Sequence, residues 1–198
     1  MNGWMNKIVK VDLSSGTQTI INIEEDVRRK YIGGRGLGLK LYTDICSADV
    51  DGLSEENAIV FSTGPLTGII QTAGRYQVTT RSPLTNAIVN SSSGGFFGAF
   101  LKRAGLDAII ITGNSNTPVF LEITEDNIEI KNAEHIWGKD THETMKILKS
   151  ESSSNISIAC IGPAGENLVP YASIMNDKDR AAGRGGVGAV MGFKNHHV

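Results

Sequence analysis

N-D-K-D-R-A-A-G-R-G-G-V-G-A-V-M-G, residues 176–192, is the stretch on which the reading of this chain turns. Arg180 and Arg184 stand on either side of Ala181, Ala182 and Gly183, so nothing larger than a methyl group separates two guanidinium groups. Gly185, Gly186 and Gly188 follow. A chain of this kind can run close to a bulky ligand, offer it bare N–H groups and grip anionic oxygens in pairs. Backbone nests, and helix N-termini that follow glycine turns, bind phosphate in that way. The same letters also suit a tight turn that packs a short helix closely on a sheet, so the reading as an anion cradle depends on the rest of the chain.

A second glycine-rich start, S-S-S-G-G-F-F-G at 91–98, is expected to open a helix carrying Phe96, Phe97, Phe100 and Leu101 and ending at Gly105. Its plainer reading is a hydroxyl cap with close helix–sheet packing. A third run, G-G-R-G-L-G at 33–38, places Arg35 among glycines, either as another phosphate contact or as a turn between two helices; no strand leads into it as a dinucleotide fingerprint would require. G-P-L-T-G at 64–68 is echoed by G-P-A-G-E-N at 162–167. The order strand, Gly-Pro turn, strand, glycine-rich helix start therefore occurs twice, a weak internal repeat that would aim two similar turns at one ligand.

Around these motifs, alternation at 7–13 and 17–23 across Ser14-Ser15-Gly16 predicts a hairpin. Residues 24–31 run from acidic to basic as a helix dipole favours, and Leu37, Leu41 and Ile45 predict a second helix reaching Cys46. Strands are expected at 58–62, 75–80 and 86–90, a meander at 107–112, 118–123 and 127–131, a helix at 140–149, and strands at 157–161 and 168–175.

With 198 residues the chain suits one compact unit, and 19 basic against 21 acidic residues give a net charge of −2. No global field favours nucleic acid or an anionic membrane, so any anion binding is local. The two cysteines, Cys46 and Cys160, suggest neither a disulfide framework nor a cluster and read as buried thiols in a reducing cytosol. No apolar run reaches membrane-span length, and the first ten residues do not resemble a signal peptide, which makes the expected location cytoplasmic. His135 and His142 lack a second ligand at metal spacing and read as surface or capping residues; His196 and His197 sit at an end expected to fray.

Taken together and in this order, G-P-L-T-G, G-R-Y-x-V, S-P-L-T, S-G-G-F-F-G, H-I-W-G-K, I-G-P-A-G-E-N and the 176–192 motif resemble the N-terminal domain of tungsten-containing aldehyde ferredoxin oxidoreductases over essentially the whole chain, 1–198. The resemblance implies an α+β domain of two β-sheets related by an approximate internal twofold, with several short helices. It implies a bed for a tungsten or molybdenum bis-molybdopterin (tungstopterin) cofactor, with magnesium between the two pterin phosphates. Dithiolene sulfurs would ligate the metal, so the domain need offer it no cysteine or histidine.

Position by position, the resemblance implies pterin contacts at Arg75 and at the turn of Ser92, Ser93, Gly94 and Gly95, with Arg180, Ala181, Ala182, Gly183 and Arg184 lining the second pterin and its phosphate. Backbone carbonyls of Ser92 and Ala181 would face magnesium. The family commonly has asparagine where this chain has Ser92, a change that a backbone role survives. A [4Fe–4S] cluster, the acid/base residues and the substrate channel are expected in a C-terminal catalytic region or subunit, with ferredoxin as electron partner of the complete enzyme. Alone, the chain is expected to bind cofactor weakly, show no turnover and expose an apolar patch through which it could form a homodimer. A pterin storage or delivery module and a phosphate-ligand-binding protein remain alternatives.

Overall fold

A computed structural model describes residues 3–152 and 155–196. The expected hairpin forms from β1 (Lys7–Asp12) and β2 (Thr17–Asn22), with Asp12 Oδ1 accepting the N–H groups of Ser14 and Ser15 at the turn. The other edge of β1 pairs in parallel with β6 (Ala108–Thr112). β6 in turn pairs antiparallel with β3 (Ile59–Thr63), and β4 (Tyr76–Arg81) and β5 (Ile88–Ser93) continue outward. The order is β2-β1-β6-β3-β4-β5. Central strands covered on both faces read as continuous apolar runs, as in Ile109, Ile110 and Ile111, all buried.

Helices α1 (Glu25–Tyr31) and α2 (Gly34–Ile45) cover one face, where Leu37, Leu41 and Tyr42 pack against Ile8, Val60 and Ile110. On the other face Val9, Val11, Phe61 and Ile111 meet Leu101 of α3 (Phe97–Arg103) and Val187, Val190 and Met191 of α6 (Val187–Phe193). A three-stranded antiparallel sheet of β9 (Ala159–Cys160), β10 (Ile174–Asn176) and β11 (Arg180–Ala182) joins that core, as does the hairpin of β7 (Val119–Ile123) and β8 (Ile128–Asn132). Helix α4 (Thr141–Glu151), capped by Asp140, buries Met145 and Leu148 beside Cys160, and the single turn α5 (Pro163–Glu166) packs on α6.

The mixed α+β class holds, but the described residues form three sheets and six helices. Residues 107–131 are not one meander: β6 is inserted between β1 and β3, leaving β7 and β8 as a separate pair. The 33–38 glycines do not make an interhelical turn, because α2 starts at Gly34. Gly38 is inside that helix, where a Cβ would lie 2.5 Å from Thr79 Oγ1 and 2.8 Å from Ser62 Oγ, so close packing explains it. Ser91, Ser92 and Ser93 belong to β5, and α3 begins only at Phe97. Most of 168–175 is turn and irregular backbone, with Leu168 at φ 56°, and only Ile174 and Met175 of it are strand.

The twice-occurring order is visible as β3, Gly64-Pro65, β4, β5, α3 and as β9, Gly162-Pro163, β10, β11, α6. The two passages differ in detail, since Gly64-Pro65 leads a loop whereas Pro163 starts α5. His196 is not frayed: it is buried and bridges to Val119. His197 lies outside the described residues.

Candidate functional site

The two glycine-rich motifs meet side by side. At the edge of the large sheet, β5 ends beside the β11 segment: the Arg184 N–H donates to Ser91 Oγ at 3.0 Å, and Gly95 sits against the Arg180 side chain. Arg75, one residue before β4, donates from Nη1 to Ser92 Oγ at 3.4 Å. Arg75, Arg180, Ala181, Gly183 and Arg184 are exposed, and among the described residues no carboxylate lies within ion-pair distance of these three arginines. Three arginines are thus rooted around 91–95 on a chain of net charge −2, with the Asp177 carboxylate also against Gly95.

The glycines separate into two groups. Gly95 (φ 90°), Gly185 (φ 73°) and Gly186 (φ 68°) take backbone conformations that a side chain strains. A Cβ at Gly185 would press on Val89, one at Gly188 would lie 2.5 Å from the Ser173 carbonyl oxygen, and one at Gly192 would collide with Gly165. These glycines let the buried helix α6 pack backbone to backbone on its neighbours, so for them the packing reading holds. Gly94 and Gly183 differ: a Cβ at Gly94 would meet nothing within 4 Å, and one at Gly183 only the Ala181 Cβ at 3.9 Å. Neither has positive φ. Neither fold nor packing demands glycine there, and both open onto the surface beside the arginines.

The N-terminus of α3, for which a hydroxyl cap was the plainer expectation, is capped instead by an internal carboxylate. Asp177 Oδ2 accepts the N–H groups of Phe96 (2.5 Å) and Phe97 (3.1 Å). Ser93 and Ala182 are buried; the Ser93 hydroxyl donates to Asn176 Oδ1 at 2.6 Å, so these two would reach a ligand through backbone alone. Sequence reasoning passed over Gln77, whose Nε2 donates to Ser92 Oγ at 3.1 Å while its buried Oε1 has no partner among the described residues. Its place in strand alternation, two residues after Arg75, was the available signal. Arg35 is exposed at the start of α2. His135 and His142 are exposed near Glu151 and Asp179, at 3.4 and 3.7 Å. Cys160 is buried, which pushes its thiol up to about 12, and Cys46 is only partly buried. An apolar cavity of about 460 Å³, lined by Phe61, Phe97, Phe100, Ile109 and Ile123 among others, shares none of the cradle residues.

Compared with known proteins, residues 8–197 match the family model for the aldehyde ferredoxin oxidoreductase N-terminal domain. The chain belongs to that family. Tungsten-containing aldehyde ferredoxin oxidoreductases of Pyrococcus furiosus and Pyrococcus abyssi are 49% and 50% identical over 197 residues, covering 98% of this chain and 33% and 32% of theirs. The WOR-like subunit of an aliphatic sulfonate oxidoreductase of Pyrococcus furiosus is 38% identical over 213 residues, 98% of this chain and 34% of its own. A solved active-site complex BamBC of benzoyl coenzyme A reductase with 1,5-dienoyl-CoA superposes with a TM-score of 0.95 at 37% identity, covering 99% of this chain and 30% of that one. This aldehyde ferredoxin oxidoreductase N-terminal domain thus spans about a third of the length of the curated relatives it matches. Among its described residues, no helix is long and apolar enough to cross a membrane.

Proposed function

We propose that residues 1–198 form the cofactor bed of a tungsten- or molybdenum-dependent oxidoreductase that converts aldehydes to carboxylic acids and passes electrons to ferredoxin. The observation that carries this reading is the pairing of Gly94 and Gly183, glycines without an internal packing or positive-φ reason, with three arginines that form no ion pair among the described residues. Bare backbone beside guanidinium forks suits a large polyanion of the bis-pterin class. Arg75 and Ser92 would take one pterin phosphate, and Arg180, Gly183 and Arg184 the other. The carbonyls of Ser92 and Ala181 would face magnesium, a hard cation normally shared among carbonyls, waters and phosphates. When bound, the metal dithiolene supplies the two-electron redox chemistry. This chain's residues bind and orient the group and hold its charge. The repeated order of elements supports a duplicated origin for the two half-cradles, related by the approximate twofold.

Relatives whose names give aldehyde, sulfonate and benzoyl-CoA chemistry share this domain over nearly its whole length, which supports assigning substrate choice to residues outside it. The [4Fe–4S] cluster, the acid/base groups and the ferredoxin contact belong to that other region, and the complete enzyme would work in the cytoplasm. The test is a phosphate titration followed by phosphorus NMR on the chain and on Arg75→Ala, Arg180→Ala and Arg184→Ala. Each variant should keep its urea stability within about 0.5 kcal/mol, as exposed substitutions do. Phosphate affinity should fall in each. Equal affinity in all four proteins would refute the cradle.

A further inference from the structure

We infer that Asn176 and Asp177 are positioning residues: a two-residue clamp that locks the β5–α3 turn to the β10–β11 turn and so fixes the two half-cradles relative to each other. This inference rests on the cofactor-bed reading above. Asn176 is fully buried at the end of β10, and each polar atom of its amide is used. Oδ1 accepts from Ser93 Oγ (2.6 Å) and Tyr76 Oη (3.1 Å), while Nδ2 donates to the Gly94 carbonyl (2.9 Å) and to Asp177 Oδ2 (2.8 Å). The Gly94 carbonyl is thereby held from inside, leaving its glycine face to the surface.

Asp177 completes the lock from the neighbouring turn. Its Oδ2 takes the Phe96 and Phe97 N–H groups, and its Oδ1 accepts from Ser157 Oγ at 2.5 Å. To reach them, Asp177 stands at φ 48° and is followed by Lys178 at φ 82°, left-handed conformations that residues with side chains adopt at a cost. A Cβ at Gly95 would strike Asp177 Oδ2, so glycine at 95 is the counterpart that lets the carboxylate in. Directly after the loop come exposed Arg180 and Ala181 and buried Ala182, whose position is therefore set by the clamp. Charge-assisted bonds to backbone N–H groups are among the stronger hydrogen bonds, which suits a fixed spacer between two anion-gripping turns.

The experiment compares the chain with Asp177→Ala, Asp177→Asn and Arg184→Ala, using inorganic phosphate as probe and amide hydrogen exchange as a ligand-free readout. With Asp177→Ala folded by circular dichroism, the phosphate binding that depends on Arg184 should weaken about tenfold, whatever the vacated Phe96 and Phe97 N–H groups gain, and the isosteric Asp177→Asn should restore part of it. Exchange at Arg184 should accelerate in Asp177→Ala even though its own acceptor, Ser91, is untouched. Arg184→Ala should lose affinity without faster exchange at Phe96 and Phe97. Wild-type affinity and unchanged Arg184 exchange in Asp177→Ala would overturn the clamp while leaving the cofactor-bed reading standing. Absence of saturable phosphate binding by the wild-type chain would overturn that reading and the clamp with it. Should Asp177→Ala fail to fold, Asp177→Asn decides by the same two readouts.

Discussion

One methyl group added at Gly94 should change binding and spare folding, whereas the same methyl at Gly188 should do the reverse. At Gly94 a Cβ has nothing within 4 Å and φ is not positive, so Gly94→Ala introduces no clash and no backbone strain. Removing glycine from the unfolded chain then stabilises the protein by about 0.4–1 kcal/mol. At Gly188, inside α6, helix propensity alone would favour alanine by about 1 kcal/mol. The Cβ, however, would stand 2.5 Å from the Ser173 carbonyl oxygen and 2.8 Å from its carbon, both backbone atoms that cannot rotate away. Ordinary carbon contacts lie at about 3.5–4.0 Å, so α6 or the 172–173 segment must move by about 1 Å. Overpacking of this kind costs about 1–3 kcal/mol or more, which offsets the propensity gain and leaves Gly188→Ala destabilised. Urea melts measure both stabilities, and a phosphate titration on each folded variant measures binding; Gly94→Ala should weaken phosphate about tenfold, a loss of about 1.4 kcal/mol. A Gly94→Ala protein that is destabilised by more than about 1 kcal/mol, or that binds phosphate as before, would refute the division of the glycines into packing and ligand classes.

Lys102 and Asp107 form an ion pair with side chains only 5% and 1% exposed, and Lys102 Nζ also holds the Gly3 carbonyl at 2.7 Å. Lys102→Met should cost about 3–5 kcal/mol in urea melts because it strands a buried carboxylate, while the double change Lys102→Met with Asp107→Leu should recover most of that loss. Lys194 is fully buried with Nζ on the Gly113 carbonyl at 2.9 Å, and burial pulls its ammonium down to about 8 from 10.5. Between those values the unfolded chain binds the extra proton, so stability should rise as pH increases from about 8 toward 10.5, by up to about 3 kcal/mol. Lys194→Met should flatten that rise in melts taken across the same window.

Local chemistry announced much of this fold. The Ser14-Ser15-Gly16 hairpin, the acidic-to-basic α1 and the Asp140 cap of α4 each carry their signal within a few residues. The 75–80 strand was legible from alternation, and its pairing with β5 brings Arg75 to Ser92, whereas β11 and its approach to β5 across two sheets were not read from the sequence. What was not legible depends on partners distant in sequence. Gly38 looks like a turn residue until Thr79 and Ser62 are seen beneath it, and S-S-S-G-G looks like a helix cap until β4 claims the serines for a strand. Asp177 looks like a solvated turn residue, and only the fold brings it to the N–H groups of Phe96 and Phe97, more than 75 positions back.

That placement of Asp177 bears on where an anionic ligand can sit. A carboxylate at the N-terminus of α3 occupies the N–H groups a phosphate would have used, and it would repel any phosphate brought beside it. For unit charges about 4 Å apart the repulsion is about 1 kcal/mol in water and about 4 kcal/mol at the effective dielectric of a protein surface. A ligand at this helix end meets repulsion, whereas at the rim it meets Arg75, Arg180 and Arg184, which pair with no carboxylate among the described residues, although Asp177 lies at its inner edge against Gly95. The difference favours the rim, where Gly94 and Gly183 leave the backbone bare. On the proposed cradle, Asp177 would therefore act on ligand placement twice, by holding the turns at their spacing and by closing the helix end. That would let a sequence rich in glycine turns favour the rim over the start of α3.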